Sequence, residues 1–245
     1  MKEYINLTLE NIDEEHLCCA MSDKKHEEGV LNKKEWLKKR IKEGHIFRKL
    51  NVQGKVFIEY APLDKAWAPV EGNNYMYIYC LWVAGSFKGN GYGKDLLDYA
   101  INDAKEKGMN GICTISSKKK KPFISEKSFF SKYDFKVVDE IDDYELLALS
   151  FNDKTPKFCD NVKKMEIESK DLTIYYSTQC PFTNNCIKEA KEFMVENNIN
   201  INLVSIDTLE KAKNVPCIFN NWAVFKDGKF VSNTLLNKNS LKKLL

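Results

Sequence analysis

The sequence predicts a mixed α/β (α+β) protein of two domains, a larger one built on a central mixed sheet and a smaller α/β unit behind it. Three observations carry this. The chain has 245 residues, too long for one typical domain of ~100–150 residues and ample for two. Its first part reads as strands, then strand, helix, strand, helix, strand, strand. Between residues 152 and 165 the sequence turns polar, carries Pro156 and loses periodicity, and a new strand begins at Leu172. The expected domains are therefore 1–151 and 166–245, joined by a linker at 152–165.

Taken in order, residues 4–10 read as a strand running into Asp13, an N-cap for a short helix from Glu14 to Met21. In a second helix Leu31, Trp36, Leu37 and Ile41 approximate helical spacing among lysines, up to a stop at Gly44. Two strands between Ile46 and Ile58 flank Gly54. Residues 75–83, Y-M-Y-I-Y-C-L-W-V, are dense in aromatic and β-branched side chains and suit a central strand. A glycine-bearing loop then leads into the longest helix of this half, where Leu96, Leu97, Ala100, Ile101 and Ala104 form one apolar stripe ending at Gly108. A strand at 111–116, a short helix from Glu126 to Tyr133 and two strands within 135–151 complete the first domain.

The second domain opens with the strand L-T-I-Y-Y-S, which leads into Cys180-Pro181-Phe182 and a helix with the stripe Ile187, Ala190, Phe193, Met194. A strand at 201–206, a short helix near 208–213, a hairpin turning at Asp227-Gly228 and a last helix from about Ser240 follow.

The composition, 43% hydrophobic and 12% aromatic with a net charge of +3, is that of an ordinary globular chain and excludes disordered and fibrous classes. Acids nearly balance bases, so nucleic acid is not an expected partner, even with the run Lys118–Lys121. No apolar run approaches the ~18–20 residues that cross a bilayer, and Met1-Lys2-Glu3-Tyr4 lacks the apolar stretch of a secretion signal. No membrane association and a cytoplasmic location are expected. The eight cysteines, including the adjacent Cys18 and Cys19, are scattered and read mostly as reduced core residues. No C-x-x-C pair occurs, and His16, His26 and His45 lack ligand spacing, so no metal is expected.

The most informative segment is K-G-N-G-Y-G-K, residues 88–94, lying between a buried strand and the start of a helix. Glycines there let backbone amides approach an anion closely, and the helix N-terminus adds about half a positive charge. A diphosphate suits such a loop. The ATPase-type pattern G-x-x-x-x-G-K-[ST] fails, because Lys88 takes the first glycine position and Asp95 replaces the magnesium-binding hydroxyl. The dinucleotide pattern G-x-G-x-x-G fails as well, since the third glycine comes one residue early.

What remains resembles the GNAT acetyltransferase superfamily, whose signature [Arg/Gln]-x-x-G-x-[Gly/Ala] follows the fourth strand; Lys88, Gly91 and Gly93 match it, with lysine as the cation. Phe129-Phe130-Ser131-Lys132-Tyr133-Asp134-Phe135 resembles the family's second motif, F-Y-x-K-x-G-F. The resemblance covers residues 1 to about 151. It implies the GNAT fold and transfer of an acetyl group from acetyl-CoA to a small-molecule amine or a peptide. It also implies that the amides of Gly89, Asn90, Gly91, Tyr92, Gly93 and Lys94 grip the coenzyme A diphosphate, and that the backbone of Leu81, Trp82 and Val83 pairs with the pantetheine arm like an extra strand.

Many GNAT enzymes use a tyrosine of the second motif to protonate the departing thiolate, and the aligned residue here is Phe130. Tyr133, nearly one helical turn on, is either a substitute acid or a packed aromatic. Asp134 stands at the family's glycine and tolerates a left-handed helix end. The acceptor amine must lose a proton, and Glu59, in the apolar strand V-F-I-E-Y, is the best base candidate, unless it faces the surface of an alternating strand. Tyr75, Tyr77 and Tyr79 share a strand face and read as core or as substrate wall. Lys118–Lys121 either meets the coenzyme A phosphates or is a solvated loop.

In the second domain, the strand, the Cys-Pro-Phe-Thr helix start and Val215-Pro216 before a hairpin resemble thioredoxin-like folds, with Pro216 at their cis-proline. The whole chain resembles GNAT proteins with a YoaP-type C-terminal domain. Cys180 at a helix N-terminus is acidified and reactive if exposed. Cys186, six residues on, lies roughly 9 Å along a continuous helix, beyond the ~7 Å reach of a disulfide. By fold analogy Cys217 is the better partner. The alternative to an acetyltransferase is thus a thiol-dependent binding or redox module on Cys180 with a non-catalytic CoA-binding scaffold. A third reading leaves Cys180 buried and the domain serving binding or homodimerisation.

Overall fold

The computed structural model describes residues 3–17, 19–20, 24–219 and 221–244. Strand β1 (Tyr4–Asn6) is followed by helix α1 (Glu27–Ile41), strands β2 (Ile46–Leu50), β3 (Val56–Pro62), β4 (Val70–Glu71) and β5 (Tyr75–Val83), and helix α2 (Tyr92–Glu106). Then come β6 (Gly111–Ser117), α3 (Lys127–Phe130), β7 (Lys136–Ile141), β8 (Tyr144–Ser150) and β9 (Lys157–Phe158). The remainder is β10 (Thr173–Tyr176), α4 (Phe182–Asn197), β11 (Asn202–Ser205), α5 (Leu209–Lys213), β12 (Trp222–Lys226), β13 (Lys229–Ser232) and α6 (Lys238–Leu244). Among the described residues no helix is long and apolar enough to cross a membrane.

The chain forms two compact units. The first comprises Met1–Met21, Leu37–Ala66 and Val70–Phe158. Its seven-stranded sheet runs β1-β2-β3-β5-β6-β8-β7, antiparallel throughout except for the parallel pair β5–β6. Helix α2 lays its buried Leu96, Leu97, Ala100 and Ala104 on one face, in a core with Ile58, Tyr60, Ile78 and Ile112. Leu96 and Leu97 alone, fully buried, each contribute about 1.5–3 kcal/mol of transfer free energy.

Two irregularities in this sheet matter for chemistry. The β5–β6 ladder pairs Tyr75 with Gly111, Met76 with Ile112 and Tyr77 with Cys113, and goes no further. Yet β5 stays paired with β3 as far as Val83, and β6 with β8 as far as Ser117. The two central strands keep their outer neighbours and part from each other. In addition, the β3–β5 register shifts between Glu59, opposite Cys80, and Tyr60, opposite Ile78, so Tyr79 is the extra residue of a bulge.

The second unit comprises Ser22–Trp36, Trp67–Pro69 and Cys159–Leu245. Its four-stranded sheet runs β11-β10-β12-β13, with β10 parallel to β11 and the others antiparallel. The predicted stripe of α4, with Ile187, Ala190 and Phe193 buried, packs on Ile174, Trp222 and Val224. The N-terminal part of α1 and the turn before it pack over the start of α4: Asn32 Nδ2 donates to Asn184 Oδ1 at 3.0 Å, and the ring of His26, just before α1, stands edge-on to Phe182 at 4.8 Å.

Four sequence expectations need correction. The short helix from Glu14 is absent among the described residues, where 9–14 form turns; Met21 and Cys18 lie outside them. Asn11 Oδ1 caps Thr8 N at 2.8 Å, Asp13 instead pairs with Lys38 at 2.8 Å, and the buried Ile12 and Leu17 are five residues apart, which does not repeat a helical face. For the same reason β1 stops at Asn6, well short of residue 10. The stretch 152–165 is not wholly irregular, because Lys157–Phe158 pairs with Val70–Glu71. Among the described residues no peptide bond is cis, Val215-Pro216 included.

A Cβ built on Gly29 would lie 2.0 Å from the Pro181 carbonyl oxygen. Alanine gains about 1 kcal/mol of helix propensity over glycine, whereas overpacking against main chain costs about 1–3 kcal/mol. Gly29→Ala is therefore expected to lower the urea midpoint of the full chain; an unchanged or higher midpoint would contradict this packing.

Candidate active site

The glycine loop leaves the end of β5 and turns into α2. Gly89 and Gly91 have φ of 80° and 78°, a region that costs other residues roughly 1–2 kcal/mol, and Gly91 is the N-cap of α2 with no side-chain cap. The first bond into the helix runs from Asp95 N to Gly91 O at 3.0 Å, so the Gly93 and Lys94 amides have no intrahelical acceptor. Asn90, expected to contribute only its amide, does more. Its Nδ2 donates to the carbonyls of Ser86, Phe87 and Lys88 at 3.1, 3.3 and 3.1 Å. Three loop carbonyls thus turn toward one side chain, away from any anion held by the amides. Lys88 is exposed and makes no ion pair among the described residues, whereas the Lys94 ammonium is taken by Asp98, which raises its pKa with a weaker contribution from nearby Tyr133.

Leu81, Trp82 and Val83 lie on the part of β5 beyond the last β6 partner and are half-buried. Thr114 Oγ1 donates to Ile78 O at 3.0 Å at the vertex where the strands part. Lys55 Nζ sits 5.6 Å from the Trp82 ring centroid.

Glu59 is fully buried and does not face the surface. Its Oε1 lies 3.0 Å from Nε2 of His45, itself buried. Phe47 is opposite Glu59 in the β2–β3 ladder, so His45 is the diagonal neighbour on the same face. Tyr79, the bulge residue, lies 5.1 Å from His45 and 5.1 Å from Tyr77, ring to ring. The three strand tyrosines divide: Tyr75 donates to the Lys154 carbonyl at 2.5 Å and serves the structure, while Tyr77 and Tyr79 accompany the His45–Glu59 pair. Burial holds the Tyr77 hydroxyl well above its usual pKa, hence neutral. His45 was not singled out from the sequence as part of the site; the only available signal was a histidine one hairpin away from a carboxylate in an apolar strand.

In the second motif Phe130 is buried against Phe135 at 5.1 Å. Tyr133 is half-buried, its ring 5.1 Å from Phe129, and its hydroxyl has no hydrogen-bond partner among the described residues. Phe129 reaches within 3.2 Å of where a Gly93 Cβ would stand, which brings the motif against the first turn of α2. Asp134 has the expected left-handed conformation, φ 62°.

One curated relative resembles this chain over nearly its whole length. It is 42% identical over 245 residues, 99% of this chain and 98% of the relative, to the uncharacterized N-acetyltransferase YoaP of Bacillus subtilis (strain 168). Residues 9–121 match the acetyltransferase (GNAT) family and residues 200–243 the YoaP-like family. The chain belongs to the GNAT acetyltransferase family. Similar solved structures include a GNAT family acetyltransferase from Brucella melitensis in complex with acetyl-CoA, at TM-score 0.42 and 15% identity over 64% of this chain and 93% of that one. Another is the PaiA N-acetyltransferase from Thermoplasma acidophilum in complex with coenzyme A, at TM-score 0.43 and 18% identity over 62% and 99%.

Within this GNAT acetyltransferase the lysine run is largely engaged by acids: Lys118 with Glu140 at 2.9 Å, Lys120 with Glu126 at 3.3 Å, and Lys121 with Asp143 at 3.3 Å. Among the described residues no group of three His, Cys, Asp or Glu side chains is arranged to hold a metal. The expected partnership of Cys180 with Cys217 is not formed. Both stand as thiols, Cys217 completely buried in apolar surroundings, and the start of α4 after Cys180 is covered by α1 rather than open. Burial pushes the Cys186 thiol up to about 11 and Cys217 higher still.

Only thiolate reacts, and a thiol titrating near 11 is ionised to about one part in a thousand at pH 8. A thiol reagent at that pH should therefore leave Cys186 and Cys217 unmodified in the native chain and label both in urea. Rapid native labelling of Cys217 would contradict its burial.

Proposed function

We propose that the chain transfers the acetyl group of acetyl-CoA to the amine of a small-molecule or peptide acceptor, in the cytoplasm. The observation that carries this reading is the parting of β5 from β6 with the glycine loop at its mouth. A diphosphate fits there because main-chain donors and the α2 dipole converge with no acid among the loop side chains. Bound acetyl-CoA would supply the activated acetyl thioester. The amides of Gly89–Lys94, shaped by the Asn90 side chain, would hold the diphosphate with Lys88 as the neutralising cation. The unpaired edge of Leu81–Val83 would take the pantetheine amides as a strand takes its neighbour.

Glu59 would act as the base, with Oε1 held by His45 Nε2 so that the pair receives the acceptor's proton away from bulk water. Tyr133 would donate its hydroxyl proton to the departing sulfur in place of a tyrosine at 130. Tyr77 and Tyr79 would line the acceptor side. The smaller unit is in this reading a thioredoxin-like module, supported by its strand order and its one parallel pair, with a binding role rather than a dithiol one.

Calorimetry with CoA should give a Kd of micromolar order, about −8 kcal/mol, and Lys88→Glu combined with Gly91→Val should abolish it. Binding that survives the double substitution would mean the loop is misassigned. In a screen of amines read by thiol release, Glu59→Gln should lower kcat by ~10²-fold or more with little change in the KM for acetyl-CoA; an unchanged kcat removes Glu59 as base.

A further inference from the structure

β3 and β5 stay paired beyond the point where β5 leaves β6. Glu59 stands opposite Cys80, Phe57 opposite Trp82 and Val56 opposite Val83, and one step further Ala84 N donates to Lys55 O at 2.9 Å. Side chains alternate across such a pair. Val56, Ile58, Leu81 and Val83 turn to the α2 face, where they join its core. Lys55, Phe57 and Glu59, with Cys80 and Trp82 across from them, therefore share the other face, and the Lys55 ammonium 5.6 Å from the Trp82 ring centroid agrees with that placement. It is also the face of His45 and Tyr79, the acceptor side.

This face carries one charge of each sign at a fixed separation. Glu59 is a wholly buried carboxylate. Lys55 is half-buried, and among the described residues its ammonium has no acid partner, only the Trp82 ring. A lysine resting on an aromatic face keeps its donors for a ligand, unlike Lys118, Lys120 and Lys121, which are spent on acids. Between the two charges Phe57 is sealed, stacked on Phe47 at 4.9 Å, whereas Cys80 and Trp82 are only half-buried. The open track from Glu59 to Lys55 thus runs along β5, over the Trp82 ring.

We propose that the acceptor is a short peptide bearing a carboxylate, its N-terminal amine at Glu59 and that carboxylate, about three residues on, paired with Lys55. The inference rests on the acetyl-CoA reading and names the acceptor class for it. Lys55 and Glu59 are four residues apart, roughly 13 Å on a strand that rises ~3.3 Å per residue. Side chains leaning over Trp82 shorten this to the order of 10 Å, the span of an extended tripeptide. A free α-amino acid has both groups on one carbon and cannot reach both ends.

The test uses the full chain with acetyl-CoA, thiol release as the readout, and two probes, tri-alanine and tri-alanine amide, which differ only in the terminal charge. The parent should take tri-alanine with a KM on the order of tenfold below that of the amide. Lys55→Gln should erase the difference by raising the KM for tri-alanine alone, and Lys55→Glu should reverse the preference. Equal KM values in the parent, or a preference that survives Lys55→Gln, overturn the proposal. So does an equal loss of CoA affinity in Lys55→Gln by calorimetry, because the lysine would then serve the donor phosphates. A parent that binds CoA and acetylates neither peptide sinks only this inference; a parent that binds no CoA sinks the acetyl-CoA reading with it.

Discussion

The chemistry of the larger unit depends on hydrogen bonds that are not made. A parallel ladder that stops at Tyr77 and Cys113 leaves the following residues of β5 without a β6 partner, an arrangement that main-chain groups normally avoid. The strands tolerate it because each keeps its outer neighbour, β3 or β8, to its end. The Thr114 hydroxyl seals the vertex by taking the Ile78 carbonyl. Beyond it, Leu81–Val83 are half-buried rather than sealed. The bulge at Tyr79 increases local twist and turns the tyrosine toward His45, adding to the divergence of the two strands.

A cleft of this kind is useful only if the helix aimed at it is fixed. Side chains from the sheet hold α2 along its length: Tyr4 donates to Asp95 Oδ2 at 3.0 Å, Asn6 to the Tyr99 hydroxyl at 3.0 Å, and Tyr60 to Asp103 Oδ2 at 3.0 Å. Arg48 lies over the Tyr99 ring at 3.8 Å and donates to Asn6 Oδ1 at 2.8 Å. Burial, followed by the paired aspartates, raises the Tyr4 and Tyr60 hydroxyls far above neutrality, so they remain donors at any physiological pH. The first turn of α2 is thereby held against the sheet by side chains at three levels of the helix.

How much of this was legible in the sequence depended on how local each signal was. The strand 75–83 and the stripe of α2 were read to within a residue, because aromatic density and a 3.6-residue period are carried by neighbouring positions. Three glycines in five residues likewise announced the loop. The helix expected at 14–21 is absent among the described residues, because its one supporting cue, Asp13 as a cap, is spent on a distant lysine. The role of His45 was illegible for a related reason: its meaning comes from Glu59 across a hairpin, and no spacing rule encodes a diagonal contact. The cover over the start of α4 was beyond reach, since Gly29 and Pro181 meet across 152 residues of sequence.

That last contact also bears on how the two halves of the sequence divide their labour. A cysteine before a helix invites thiol chemistry, because the dipole favours the thiolate. Here Pro181, next to that cysteine, lies so near α1 that only glycine fits at position 29, and the cysteine that fold analogy offers as partner sits in an apolar core that suppresses its ionisation. Of the two requirements of a dithiol site, access and a second ionisable sulfur, packing compromises the second, while Cys180 itself is half-buried. In the larger unit packing works the other way. Phe130 is a core residue with its ring against Phe135, and a hydroxyl at that position would have to be buried. Tyr133, three residues on and near Lys94, is by contrast half-buried. The departure from the family motif at position 130 thus has a packing reason, a ring held in the core against Phe135.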